Sequence, residues 1–216
     1  EQHTVQKYSN LWEDMYLHRV INVGDVESIG SEAFANYETL VYVGGKTWFD
    51  KLTNIGTSAF LGCKELRGIN IPKMDSLLAT IERYAFSGCS KLRTIHLHNV
   101  SSIGEGAFKD CGELTEVNLQ NLEKIPRSCF KQCVNLKTVT LGNLRQIDDE
   151  AFLGCERLNL MPGGGIDLKS LAAYKNGTLK VGKGAFKNCI TSKKGMFSTT
   201  QFKFLNSTPI SPLWNS

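Results

Sequence analysis

Ile103-Gly-Glu-Gly-Ala-Phe108-Lys-Asp-Cys111-Gly-Glu-Leu114-Thr-Glu-Val117-Asn-Leu119-Gln-Asn-Leu122 is one copy of a pattern that fills most of the 216-residue chain. Its Ala-Phe pair returns at Phe34, Phe60, Phe86, Phe152 and Phe186, with Cys129 replacing Ala before Phe130. The phenylalanines stand 26, 26, 22, 22, 22 and 34 residues apart, a base period of 22 with insertions. Five residues before each Phe comes Ile29, Ile55, Ile81, Ile103, Ile125, Ile147 or Val181. Three residues after it comes Tyr37, then Cys63, Cys89, Cys111, Cys133, Cys155 and Cys189. Leu40, Leu66, Leu92, Leu114, Leu136 and Leu158 follow at six residues, and Val43, Ile69, Ile95, Val117, Val139 and Met161 at nine. Such a period is the mark of a solenoid.

Within the unit, Val117-Asn118-Leu119 alternates apolar and polar and predicts a short strand with one buried face. Ala107, Phe108 and Cys111 are spaced for one helical turn or a short helix over 105–111, with Gly104 and Gly112 as turn punctuation. A single coil cannot bury its own apolar side chains, whereas stacked coils join them into continuous ladders. The strands of successive coils then pair in parallel about 4.8 Å apart. Bulkier turns opposite them would curve the stack, with the sheet on the concave side.

The motif Ile-Gly-x-x-Ala-Phe-x-x-Cys-x-x-Leu-x-x-Val-x-Leu resembles the BspA-like leucine-rich repeats of bacterial and protist surface proteins, over about residues 17–190. The resemblance implies an α/β leucine-rich-repeat solenoid: a curved right-handed coil, its parallel sheet concave and its short helical turns convex. It also implies an extracellular or cell-surface protein linked to adhesion or host interaction. The expected organisation is an N-terminal cap over 1–16, repeats over 17–192, and a C-terminal strand and tail over 193–216. In the cap, Leu11, Trp12, Met15, Tyr16 and Leu17 have helical spacing. The 34-residue unit carries an insertion near 162–178, read as a short helix over 168–175 with Asp167 as N-cap and Gly177 as C-cap.

Composition is that of a folded protein, with 41% hydrophobic and 21% charged residues and a net charge of +4. Lys and Arg are interspersed with Asp and Glu, not gathered into the stripe of a nucleic-acid binder. No apolar run reaches the ~18 residues of a membrane span. Six of the seven cysteines share one ladder position, which predicts reduced, buried thiols packed as small hydrophobes. Paired short spacings for zinc are lacking, apart from Cys129 and Cys133 with no histidine near them in the chain. Asn99-Val-Ser101, Asn176-Gly-Thr178 and Asn206-Ser-Thr208 fit the N-glycosylation pattern.

The outward residues of each strand define the candidate ligand-binding face: Asn70, Thr94, His96, His98, Glu116, Asn118, Gln120, Thr138 and Thr140. His96 and His98 would share a strand face. They read as two imidazoles on a polar binding surface, or as a metal-gripping pair helped by Glu116. No phosphate-cradling glycine loop and no nucleophile elbow is present. The expectation is a non-catalytic binding module without cofactor, whose ligand is a protein or a glycan. The alternatives are a structural spacer within a larger surface protein, and a metal-dependent enzyme built on His96 and His98. Ligand identity and oligomeric state are not written in the sequence.

Overall fold

The computed structural model describes residues 26–44, 51–71, 76–160 and 164–190, together with the backbone of two strands before them. The expected cap over 1–16 and tail over 193–216 lie outside the described residues, apart from the backbone of Thr4–Val5.

The apolar ladders become the core. The Ile, Phe, Cys and Leu columns are buried almost throughout, joined in one continuous cluster. A further column completes it eight residues before each of the first six of these Phe: Val26, Leu52, Leu78, Val100, Leu122 and Leu144. Down its centre the seven phenylalanine rings stack, with centroids 5.1–5.4 Å apart and planes within 2–12° of each other. The near-parallel planes mean that the rings rotate little from coil to coil. Offset stacking of this kind adds about 0.5–1.5 kcal/mol per pair beyond the area buried.

Among the described residues thirteen short strands form two parallel ladders, where the sequence predicted one. The first comprises β1 (Thr4–Val5), β3 (Ser28–Ile29), β5 (Asn54–Ile55), β7 (Thr80–Ile81) and β8 (Ser102–Ile103), then β10 (Lys124–Ile125), β12 (Gln146–Ile147) and β13 (Lys180–Val181). The second is the expected one: β2 (Val20–Ile21), β4 (Tyr42–Val43) and β6 (Gly68–Ile69), then β9 (Glu116–Leu119) and β11 (Thr138–Leu141). In the first ladder the residue after each Ile donates its N–H to the Ile carbonyl of the preceding coil, as Gly104 does to Ile81 at 2.7 Å and Asp148 to Ile125 at 2.9 Å. Pro126 has no N–H to give, and the ladder breaks there, between β8 and β10. The second ladder is loose at the coil of Ile95. Residues 94–98, expected as a strand, form none, and the flanking bonds Arg93 N–H to Arg67 O and Thr115 N–H to Arg93 O are long, at 3.4 and 3.3 Å.

The segments around each Phe are tandem tight turns, not the short helical turns expected. Residues two before and two after each Phe have positive φ, as at Gly106 (62°) and Asp110 (61°). Nine of the fourteen are not glycine. This alternation turns every second peptide along the stack. Ala107, Lys109 and Cys111 donate within the coil to Gly104, Gly106 and Phe108, while Gly106, Phe108 and Asp110 donate to Arg127, Cys129 and Lys131 of the next coil. An α-helix would keep all these donors to itself; the tandem turn uses half of them to join coils. Gly104 is needed for contact more than for turning, since a Cβ there would strike the backbone of Glu82 and Arg83.

The cysteine column closes the same network. Each thiol donates to the Phe carbonyl one coil back: Cys63 to Phe34 at 3.0 Å, Cys89 to Phe60, Cys111 to Phe86, Cys133 to Phe108 and Cys155 to Phe130 at 3.1 Å, and Cys189 to Phe152 at 3.2 Å. The position therefore calls for a small apolar side chain with one donor. Burial pushes the Cys63 thiol up from 9.0 to about 12, and those of Cys89, Cys111, Cys129, Cys133 and Cys155 well above the ordinary range.

The insertion contains one short helix, α1 (Ala172–Lys175), half the expected length. Asp167 Oδ1 accepts from the N–H groups of Lys169 and Ser170, so it caps a turn, and the extended Leu171 (ψ 135°) separates that turn from α1. Gly177 ends the helix with φ +73°, as expected, its N–H bonded to Tyr174 O and that of Thr178 to Ala173 O. The insertion also changes the register: Val139 bridges to Ile166, where the sequence spacing had offered Met161.

Two outcomes follow. Phe108→Ala breaks the ring column from both sides and should cost about 3–5 kcal/mol, read from urea unfolding followed by circular dichroism. A thiol that ionises near 9.0 unfolded and near 12 folded makes the native state bind more protons between those values. Stability should therefore be full below pH 9 and fall as pH rises toward 12. The fall should be shallower for Cys63→Ala, measured as urea midpoints from pH 8 to 11.

Candidate functional site

Because side chains alternate along an extended segment, burying the second ladder's Val, Ile and Leu turns the residues between them outward. Ile95, Leu97, Val117, Leu119 and Val139 are buried, while Thr94, Glu116, Gln120, Thr138 and Thr140 are exposed and Asn70, His96, His98 and Asn118 half-buried. The outward residues fall into columns by register, with Thr138 beside Glu116 and Thr140 beside Asn118. Eight of the nine predicted residues thus lie on the ladder segments from Ile95 onward, and Asn70 stands one coil before them.

Seven of those eight, all but Thr94, line an open depression of about 570 Å³, floored by Ile95, Leu97 and Val117. It lies over the loosely paired coil and its neighbours β9 and β11. Asn118 Oδ1 accepts the N–H of Gln120 at 3.1 Å, and Asn121 Nδ2 donates to His98 O at 2.6 Å, so two carboxamides hold the local backbone. The depression presents imidazoles, carboxamides, hydroxyls and one carboxylate. These groups suit a ligand that is itself rich in hydrogen-bond donors and acceptors. The metal alternative gains no geometric support: among the described residues no three His, Cys, Asp or Glu side chains come together as a metal site, so Glu116 does not complete a site with His96 and His98.

Two features escaped the sequence reading. Tyr42, in the column of Thr94, Glu116 and Thr138, is 38% exposed. A Cβ at Gly68 would meet its ring at 3.2 Å, and one at Gly44 at 3.3 Å, so two glycines give this ring its room on the polar face. The second feature is a depression of about 600 Å³ lined by Lys137, Thr138, Arg157, Asn159, Gly164, Gly165 and Ile190. It shares Thr138 with the first and so continues it toward the insertion.

Elsewhere six charge pairs join adjacent coils among the described residues. Lys64–Glu38, Arg83–Glu105, Lys91–Glu65, Arg93–Glu113, Lys124–Asp148 and Lys131–Glu150 all lie within 2.7–2.9 Å. Exposed pairs of this kind contribute up to about 1 kcal/mol each and chiefly fix side-chain positions.

A parallel stack of short repeats with a buried Ile-Phe-Cys-Leu core and a polar ladder face is a leucine-rich-repeat solenoid. The chain belongs to the BspA type leucine rich repeat region family, matched in six copies over residues 8–75 and 27–159. Its fold is similar to that of a leucine rich cell surface protein from Faecalibacterium prausnitzii A2-165, at 27% identity and a TM-score of 0.69, covering 86% of this chain and 48% of that one. A leucine-rich repeat protein from Bacteroides ovatus ATCC 8483 shares the fold at 24% identity and a TM-score of 0.54, covering 87% of this chain and 52% of that one. The chain thus spans about half the length of these relatives. No curated protein matches it in sequence. Among the described residues no helix is long and apolar enough to cross a membrane.

Gly165 fixes how the insertion meets the ladder. Its carbonyl accepts the N–H of Val139 at 2.7 Å, and a Cβ there would run into the Lys137 carbonyl. Gly165→Ala should detach the insertion from β11 and speed hydrogen exchange at the Val139 amide, with the exchange of Phe108 unchanged.

Proposed function

We propose that this chain is a non-catalytic binding module of a cell-surface or secreted protein, and that its ligand, a protein or a glycan, lies on the second ladder's outward face. The observation that carries the reading is the open depression beside Thr138, in which His96, His98, Glu116, Asn118, Gln120 and Thr140 converge over an apolar floor. Each polar side chain is mounted on a buried neighbour, so the face is preorganised, and little ordering cost remains to be met on binding. Surface location is supported by the family and by the cell surface protein that shares the fold. A nucleic-acid ligand is disfavoured because many of the coil cations are already held by carboxylates of adjacent coils.

The test is capture of glycans and extracellular-matrix or host-surface proteins by the 216-residue chain, set beside a His96→Ala, Asn118→Ala, Thr140→Ala variant. All three side chains point outward, so the variant should melt within a few degrees of the parent and lose capture at least tenfold. Undiminished capture by the folded variant would move the site off this face. No capture by either protein would favour the spacer alternative.

A further inference from the structure

The pairing of charges between coils gives way to like charges in two places among the described residues. Arg93, seven residues after Phe86, bonds Glu113, five residues after Phe108, with Nε to Oε2 at 2.7 Å. Two coils on, the same two positions hold Lys137, seven after Phe130, and Arg157, five after Phe152. Two cations stand at the positions where that earlier coil pair has an ion pair, and they line one depression. Both are exposed, both line the depression next to Thr138, and neither has an ion-pair partner among the described residues. Arg67 also stands beside a cation, Lys91, but there Glu65 holds Lys91 at 2.8 Å. The position preceding Arg157 in its column is Asn135, whose carboxamide is spent on Gly112 O at 2.7 Å. Two exposed cations on one depression attract an anion between them. The insertion frames the place: Gly164 and Gly165 form one wall, and Asn159 adds a carboxamide.

Resting on the reading of this face as the ligand site, the geometry points to an acidic oligosaccharide as the ligand. Its carboxylate or sulfate sits between Lys137 and Arg157, and its neutral sugars run along the depression past Thr138 toward His96. A glycan fits better than an acidic peptide. The face offers carboxamides, hydroxyls and imidazoles for sugar hydroxyls, and its floor of Ile95, Leu97 and Val117 can take the C–H faces of sugar rings. Farther along the same face, roughly 19 Å from Thr138 at four strand spacings of about 4.8 Å, Tyr42 presents an exposed ring of the kind that stacks on a sugar. Glu116 in the middle of the depression disfavours a charge on every sugar, so the acidic groups must be spaced.

The experiment compares the 216-residue chain with Arg157→Glu and Lys137→Ala/Arg157→Ala on an array of matched acidic and neutral linear oligosaccharides, with thermal melting alongside. Arg157→Glu replaces one of two like charges on the same depression at an exposed position, so it should melt no lower than the parent. Acidic oligosaccharides should bind the parent at least tenfold more tightly than their neutral counterparts. That preference should vanish in both variants and weaken with salt. Equal binding of acidic chains by parent and Arg157→Glu would overturn the inference, as would a parent that prefers neutral chains. Capture of a protein alone, lost in the His96, Asn118 and Thr140 variant, would overturn the glycan ligand and leave the binding face standing. No capture of either kind would remove both.

Discussion

The structure depends on the peptide groups at each phenylalanine. The Phe N–H reaches forward to the next coil, and the Phe carbonyl receives a thiol from it, so the two coils are joined twice at the point where their rings stack. This sets the spacing of the rings at 5.1–5.4 Å, close to the ~4.8 Å of paired strands, and so lets turns and ladders rise together. A helix in the same place would hold its hydrogen bonds internally and would be about 10 Å across with its side chains. The tandem turn is thin, and that thinness allows a 22-residue coil to be hydrogen-bonded to its neighbours on both sides. The left-handed residues at positions such as Ser58, Tyr84 and Glu150 carry a conformational cost of about 1–2 kcal/mol each, offset by the bonds they direct between coils.

Sequence periodicity revealed the core because burial acts on single positions that repeat. Phe108, Cys111, Leu114 and Val117 could each be placed inward from the unit alone. The strand over Val117 and Leu119 was legible for the same reason. The turns were not. Their backbone alternates hand, yet the left-handed positions hold Glu32, Ser58, Tyr84 and Gln132 as readily as glycine, so no residue type announces them. The first ladder was hidden by its brevity, since two residues per strand cannot show an alternation. Its interruption could have been foreseen, because Pro126 is visible in the sequence as a missing donor at a position that must donate.

At the candidate site, outward positions such as Asn118 and Thr140 followed from the register. Tyr42 did not, because its role depends on the empty space that Gly44 and Gly68 leave around it. Lys137 and Arg157 belong to different columns and different coils, and only the depression that both line shows them together. The insertion was legible as an insertion, but the substitution of Ile166 for Met161 beside Val139 depends on a backbone contact that only Gly165 permits.

The thiol-to-carbonyl bond runs only between adjacent coils, and each coil brings both halves of it: one carbonyl to be met and one thiol to give. A duplicated stretch of 22 residues therefore arrives with both of its interfaces already written, and it can be spliced in wherever the period begins without retuning its neighbours. The spacings of 26 and 34 residues show that added length is accommodated away from the Phe turn. Selection on such an array can act separately on two properties: the number of coils sets how long the face is, and a change at a single outward position alters what that face presents.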